Sequence, residues 1–159
     1  PSIMLLVPFY KILSVYGLNN SLVGLCVVYV SFTIPFCSWM MVGYFRTIPT
    51  EIDESAAIDG ASHLQTFWKI ALPLVKPGLV SSAIYAFITC WNEYMFAAIL
   101  LVNDKLKTAA VAIAEMNGYY KIAWNDMMAA SLVASVPLII AFIFMQKSFI
   151  SGLTAGAVK

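Results

Sequence analysis

Charge is what this chain has least of. Nine Lys and Arg and eight Asp and Glu make up 11% of 159 residues, where an ordinary soluble domain carries about 25%. With 62% apolar residues and a mean hydropathy of +0.87, a water-soluble globule would have far too much apolar surface to hide. A formal net charge of +1 leaves no basic footprint for nucleic acid. Histidine is nearly absent: His63 stands alone, with no second His or Cys nearby, which argues against a metal centre there. The three cysteines, Cys26, Cys37 and Cys90, cannot all pair with one another. They lie in apolar stretches without paired spacing and read as small buried hydrophobes.

The few charges are placed so that long stretches have none. Ile12 to Phe45 is free of charge, Pro77 to Asn103 carries only Glu93, and Met127 to Gln146 carries none. About 20 apolar residues at 1.5 Å rise cross a hydrocarbon core, so the pattern predicts transmembrane helices over 21–44, 77–101 and 127–148. Residues 1–14 look like the end of a fourth span. No basic segment or small-residue cleavage site marks them as a signal peptide, and a chain opening at Pro1 is expected to be the C-terminal portion of a longer protein. Tyr16-Gly17-Leu18-Asn19-Asn20-Ser21 reads as a tight turn with Asn20 or Ser21 as the next N-cap. Pro35 and Pro137 fall inside predicted helices, where the carbonyl each frees needs a partner from a neighbouring helix or water.

Half of the carboxylates, Glu51, Asp53, Glu54 and Asp59, fall in one polar island between spans. Pro49 and Thr50 open a short helix there, the acidic residues suit its positive N-terminal end, and Gly60 suits the left-handed residue that stops it. Ser62-His63-Leu64-Gln65 has the form of a capping box, so a second helix starts at once and runs until Pro73 and Pro77. The expected product is a helix, a corner and a helix on the membrane surface, kept slim by Ala56, Ala57 and Ala61. By itself this could be an amphipathic surface hairpin with no partner.

The spacing adds more. Glu54-Ser55-Ala56-Ala57, then Asp59-Gly60-Ala61, then Leu72-Pro73, resembles the EAA loop of binding-protein-dependent ABC importer permeases of the MetI-like superfamily, with Ser55 where the family often has Ala. A second match covers the last third: Thr108-Ala109-Ala110-Val111, Trp124-Asn125-Asp126, Ala130-Ser131-Leu132, Pro137 and the ending Gly152-Leu153-Thr154-Ala155-Gly156-Ala157-Val158-Lys159 are similar to the MalG-like carbohydrate branch. The resemblance covers nearly the whole chain. It implies an all-α polytopic transmembrane helix bundle with a cytoplasmic coupling helix, the C-terminal portion of a six-span permease in a bacterial inner membrane.

By that resemblance, residues 50–72 form the cytoplasmic coupling loop, 102–126 an extracytoplasmic loop facing a solute-binding protein, and 149–159 a cytoplasmic tail. Charge alone does not settle the orientation, because five basic residues on one side face four on the other. ATPase-coupling residues would be Glu54, Ser55, Ala56, Ala57, Asp59, Gly60, Ala61, Leu72 and Pro73. Gly152, Thr154, Gly156 and Lys159 would carry the tail to the ATPase, and the two glycines predict a mobile, compact segment. The implied partners are an ABC ATPase dimer, a second, non-identical permease subunit and the solute-binding protein, with lipid around them. ATP and Mg would belong to the ATPase; this chain holds no catalytic residue and no cofactor, and its Gly152, Gly156 and Lys159 lack the Gly-Lys-Ser/Thr ending of a phosphate loop.

Trp91-Asn92-Glu93-Tyr94 lies inside the predicted span 77–101. A carboxylate near the centre of a membrane helix costs roughly 2.5–3.5 kcal/mol and faces a bundle interior or a wet cavity. These four residues are candidates for the wall of a translocation path, the alternative being a structural Glu93 bonded to a neighbouring helix. The expected function is import of a sugar or oligosaccharide. Permeases for amino acids, peptides or phosphate share the loop, and a secondary transporter would instead show discontinuous helices and ionisable pairs at mid-membrane, whereas Glu93 is solitary.

Overall fold

The computed structural model describes the backbone of residues 2–118 and 123–155, and side chains over 3–118 and 123–144. Every regular element among the described residues is helical. In order they are a 3-10 turn (Ser2–Leu5), α1 (Leu6–Val15), α2 (Leu22–Phe45), α3 (Thr50–Ile58), α4 (His63–Thr66), a π-helical turn (Phe67–Ala71), α5 (Leu72–Leu74), α6 (Lys76–Trp91), α7 (Met95–Leu100), a second 3-10 turn (Asp104–Leu106), α8 (Ala109–Glu115) and α9 (Trp124–Ala155). Helix α2, with 24 residues, and the 21 residues Trp124–Phe144 of α9 are long and apolar enough to cross a bilayer.

The expected continuous helix over 77–101 is instead two helices, α6 and α7, separated at Asn92 to Tyr94. Hydropathy was blind to this break because apolar residues fill both sides of it. At its other end α6 meets the segment His63–Leu74 at 70°. Pro73 explains the local backbone: without an N–H it cannot bond back to Lys69, and the turn before it widens into a π-helical bulge. A second departure concerns the tail. Residues 149–155, expected to be loose, continue α9 as helix through Ala155. One interior glycine, Gly152, costs a helix only about 1 kcal/mol relative to Ala, too little to stop it without a proline. Gly156 and Lys159 lie outside the described residues.

The chain divides into two compact units, residues 1–33 with 87–140 and residues 34–86 with 141–159. The first is built around Leu13, Leu25, Val28, Phe96, Ala97, Leu100, Leu101 and Val111. Phe9, Phe32 and Phe96 form a triangle of rings with centroids 5.1 to 6.0 Å apart, the spacing that edge-on and tilted aromatic pairs prefer. The turn before α2 is set by polar residues. Ser21 caps α2 by accepting from Gly24 N at 3.0 Å, and a Cβ at Gly24 would strike the Leu18 carbonyl oxygen. Asn20, the other candidate cap, does different work. It sits at φ 53°, its N–H donates to Leu100 O at 3.0 Å, and its Oδ1 accepts from Val102 N and Asn103 N, both at 2.9 Å. One side chain therefore ties the α1–α2 turn to the end of α7.

Asn20→Ala should lower thermal stability by about 1–2 kcal/mol, chiefly from the left-handed backbone, since Val102 and Asn103 are exposed and water can take up their amides. Asn20→Asp keeps the acceptor and should stay within about 1 kcal/mol of the parent. Thermal unfolding in detergent separates the two, and equal losses would show that the clamp contributes nothing.

The second unit packs α2 from Ile34 onward, α3 to α5 and α6 up to Ala86. Val75 and Ile84 are its most buried large apolar residues. Phe36 and Tyr85 lie with ring centroids 4.1 Å apart, and Phe45 stacks on Phe67 at 6.0 Å. Cys37 places its Sγ 3.7 Å from the Ser82 carbonyl, and no disulfide joins the three cysteines.

Candidate functional site

The polar island folds into a corner whose every backbone turn is satisfied locally. Pro49 precedes α3, and Glu51 and Asp53 stand in its first turn. At its end Gly60 adopts φ +80°, Gly60 N donates to Ala57 O at 3.0 Å and Ala61 N to Ala56 O at 2.9 Å. These two bonds are the Schellman pair that a left-handed glycine permits. One residue further on, Ser62 Oγ accepts from Gln65 N at 3.3 Å while Gln65 Oε1 accepts from Ser62 N at 2.9 Å, the reciprocal pair of a capping box. The closing bonds of one helix, donated by Gly60 and Ala61, run directly into the opening bonds of the next at Ser62. A corner so fully bonded changes direction without a flexible loop.

Its outer surface is exposed. Glu54, Ser55, Ala57, Asp59 and Gly60 are all open to contact, and Ile58 at 86% exposure presents an apolar tip beside the carboxylates. Ala56 faces inward at 4%, and Ser55 turns its hydroxyl back onto Glu51 O at 2.7 Å, so it covers the helix surface much as Ala would. Leu72 is half-buried and Pro73 exposed in α5. Beneath the corner lies a concave space of about 790 Å³ bordered by Phe45, Asp53, Ala57, His63 and Phe67 among others.

The segment Trp91-Asn92-Glu93-Tyr94 does not act as one unit. Asn92 closes α6: its backbone and side-chain N–H groups both donate to Ile88 O, at 3.1 and 2.9 Å. Glu93 opens α7, with Oε1 accepting from Phe96 N at 2.8 Å and Oε2 from Ala97 N at 3.1 Å. Oε2 also accepts from Tyr29 Oη at 3.0 Å, reaching across to α2. Both carboxylate oxygens are thereby engaged by donors of the protein, with Phe96 and Ala97 almost wholly buried at 2% and 0%. Trp91 donates its indole N–H to Ala134 O at 3.1 Å, one residue from the carbonyl of Val133 that Pro137 leaves unbonded. Tyr94 is half exposed. Tyr29 was invisible as a partner in the sequence, since a tyrosine in an apolar run carries no sign of which carboxylate its hydroxyl will meet.

In the connection after α7, Asn103 Oδ1 accepts from Lys105 N at 3.0 Å, and Lys107 bridges Asp104 at 2.6 Å and Glu115 at 2.7 Å. The bond from Lys107 holds the Asp104 carboxyl below its usual range, and Asp104 and Glu115 hold the Lys107 amine above its own. Asp104 then contributes above its ordinary pKa and loses that contribution as pH falls through its lowered value, but so exposed an ion pair adds little. Thr108 precedes α8, which at 7 residues is far too short to span. Tyr119 and Tyr120 lie outside the described residues, and Trp124 begins α9 more than half exposed.

Comparison with known proteins covers nearly the whole chain. Residues 1–154 match the family model described as binding-protein-dependent transport system inner membrane component. The trehalose/maltose transport system permease protein MalG of Thermococcus litoralis is 39% identical over 160 aligned positions, covering 100% of this chain and 58% of that protein. The maltodextrin transport system permease protein MdxG of Bacillus subtilis is 38% identical with the same two coverages, and a putative ABC transporter permease protein of Streptomyces antibioticus is 36% identical over 69% of its length. The chain therefore spans little more than half the length of most relatives it matches. With 154 of its residues inside the family model and apolar helices of spanning length, this chain belongs to the inner membrane components of binding-protein-dependent transport systems.

Proposed function

We propose that the protein carrying this chain is the permease subunit of an ATP-driven importer for a sugar or oligosaccharide. The observation that carries this reading is the corner at Gly60, an exposed, fully bonded helix-turn-helix offered to a partner by an otherwise apolar chain. An ABC ATPase would grip Glu54, Ile58, Asp59 and Gly60, and closure of the ATPase dimer would move α3 and α4 together as a lever. Leu72, Pro73 and the π-helical turn would pass that motion to α6. The substrate crosses without any bond in it changing. ATP and Mg would sit in the ATPase, a second permease subunit would complete the bundle, and a solute-binding protein would dock at the side of α8. The corner then faces the cytoplasm, and Gly152, Thr154, Gly156 and Lys159 would carry the tail to the ATPase.

The relatives named for maltose, trehalose and maltodextrin support a carbohydrate substrate. Purifying the full-length protein from its own membranes should bring an ATP-hydrolysing subunit with it, and vesicles holding the complex and its binding protein should accumulate labelled maltose or trehalose only when ATP is inside. Uptake driven by a proton or sodium gradient without ATP would sink the reading in favour of a secondary transporter. ATP-driven uptake confined to amino acids or peptides would keep the importer and overturn the sugar.

A further inference from the structure

A cleft of about 190 Å³ lies within the first unit, between the end of α6, the short helix α8 and the first half of α9. Trp91 and Asn92 form one wall, Ser131 and Ser135 a second, and Ala109 and Ala110 of α8 a third that their small side chains keep open. The bonding of the polar groups decides what the cleft accepts. Ser131 Oγ donates to Met127 O and Ser135 Oγ to Leu132 O, both at 2.7 Å. Asn92 Nδ2 donates to Ile88 O and Trp91 Nε1 to Ala134 O. The two hydroxyl donors, the indole N–H and one N–H of the Asn92 amide point back into the protein. What remains is mainly acceptor capacity, two hydroxyl oxygens and the Asn92 carbonyl, with the second amide N–H of Asn92, beside an indole ring that pairs with Phe87 at 5.3 Å.

Acceptors next to an aromatic surface suit a neutral molecule that brings its own hydroxyl donors and an apolar C–H face. At roughly 30 Å³ per water the cleft has room for about six waters, or one six-membered sugar ring. A bare metal ion is far smaller than this space, and no carboxylate borders it. Glu93 does not line the cleft.

We infer that Trp91, Asn92, Ser131 and Ser135, walled by α8, form a subsite for one sugar ring that donates its hydroxyls to the protein. The inference rests on the carbohydrate reading above. In the assembled transporter, Ser131→Ala with Ser135→Ala should raise KM for maltose or trehalose uptake by about tenfold, the effect of losing roughly 1.4 kcal/mol of binding, with a much smaller change in maximal rate. Ala110→Trp should raise KM without touching any hydrogen bond of α6 or α9. Amounts in the membrane are matched for each variant, so that the second stands in if the first folds poorly. Sugar uptake with KM unchanged in both variants overturns the subsite and leaves the carbohydrate reading intact. Wild-type uptake confined to solutes without hydroxyl groups overturns both.

Discussion

Gly60→Val is expected to cut solute uptake by the full transporter about tenfold or more while its amount in the membrane stays near normal, because a β-branched residue held in the left-handed region costs at least 1–2 kcal/mol and each 1.4 kcal/mol is tenfold in population. The cost is torsional. Gly60 sits at φ +80° and a Cβ there would meet nothing within 4 Å, so no packing is lost and α4 keeps its own capping box. The strain is relieved only by rotating the corner away from its native angle, which misdirects the surface carrying Glu54, Ile58 and Asp59. Asn tolerates this backbone better than other side chains, so Gly60→Asn should retain most uptake, Gly60→Ala less and Gly60→Val least. Uptake and ATP hydrolysis measured at matched levels test the order. Normal uptake by Gly60→Val would remove the corner from the coupling path.

The second large effect is expected at Glu93. Glu93→Leu strips acceptors from Phe96 N, Ala97 N and Tyr29 Oη, the first two buried where water cannot replace them. At about 1–3 kcal/mol for each orphaned donor the loss is several kcal/mol, enough to lower the melting temperature markedly and to deplete the protein from the membrane. Glu93→Gln keeps one acceptor oxygen for Phe96 N, and its amide can donate to the Tyr29 oxygen, so only Ala97 N faces a donor. Its loss should be about 1–2 kcal/mol, and Tyr29→Phe, which removes a single bond, about 1 kcal/mol. Equal melting temperatures for Glu93→Gln and Glu93→Leu would show that the side chain does not hold the start of α7.

These two positions differ in how far the sequence revealed them. The corner was legible because its chemistry is local. A left-handed Gly60 and a Ser62–Gln65 capping box act over four or five residues, and their residue types have few other uses in that order. The break at Asn92 was not read, although its signal was present. Asn92 closes one helix with its amide and Glu93 opens the next by accepting from amides three and four residues on, as capping residues do. Inside a long apolar run, the same Glu reads as an intramembrane charge, and attention goes to a pathway before a cap.

Membrane residence, helical class and the approximate reach of α2 and α9 were determined by the sequence alone, because in lipid an apolar run has to satisfy its backbone bonds within itself and only a helix does that. The corner was determined in the same way by bonds between near neighbours. Tertiary structure alone decided that Glu93 meets Tyr29 across 64 positions, that Trp91 serves the α9 backbone beside Pro137, that Asn20 clamps Val102 and Asn103, and that Ser131 and Ser135 share a cleft with Asn92. Each of these joins a polar group to a distant partner. Many partners are chemically equivalent along the chain, and only packing brings one of them within 3 Å or so of the donor.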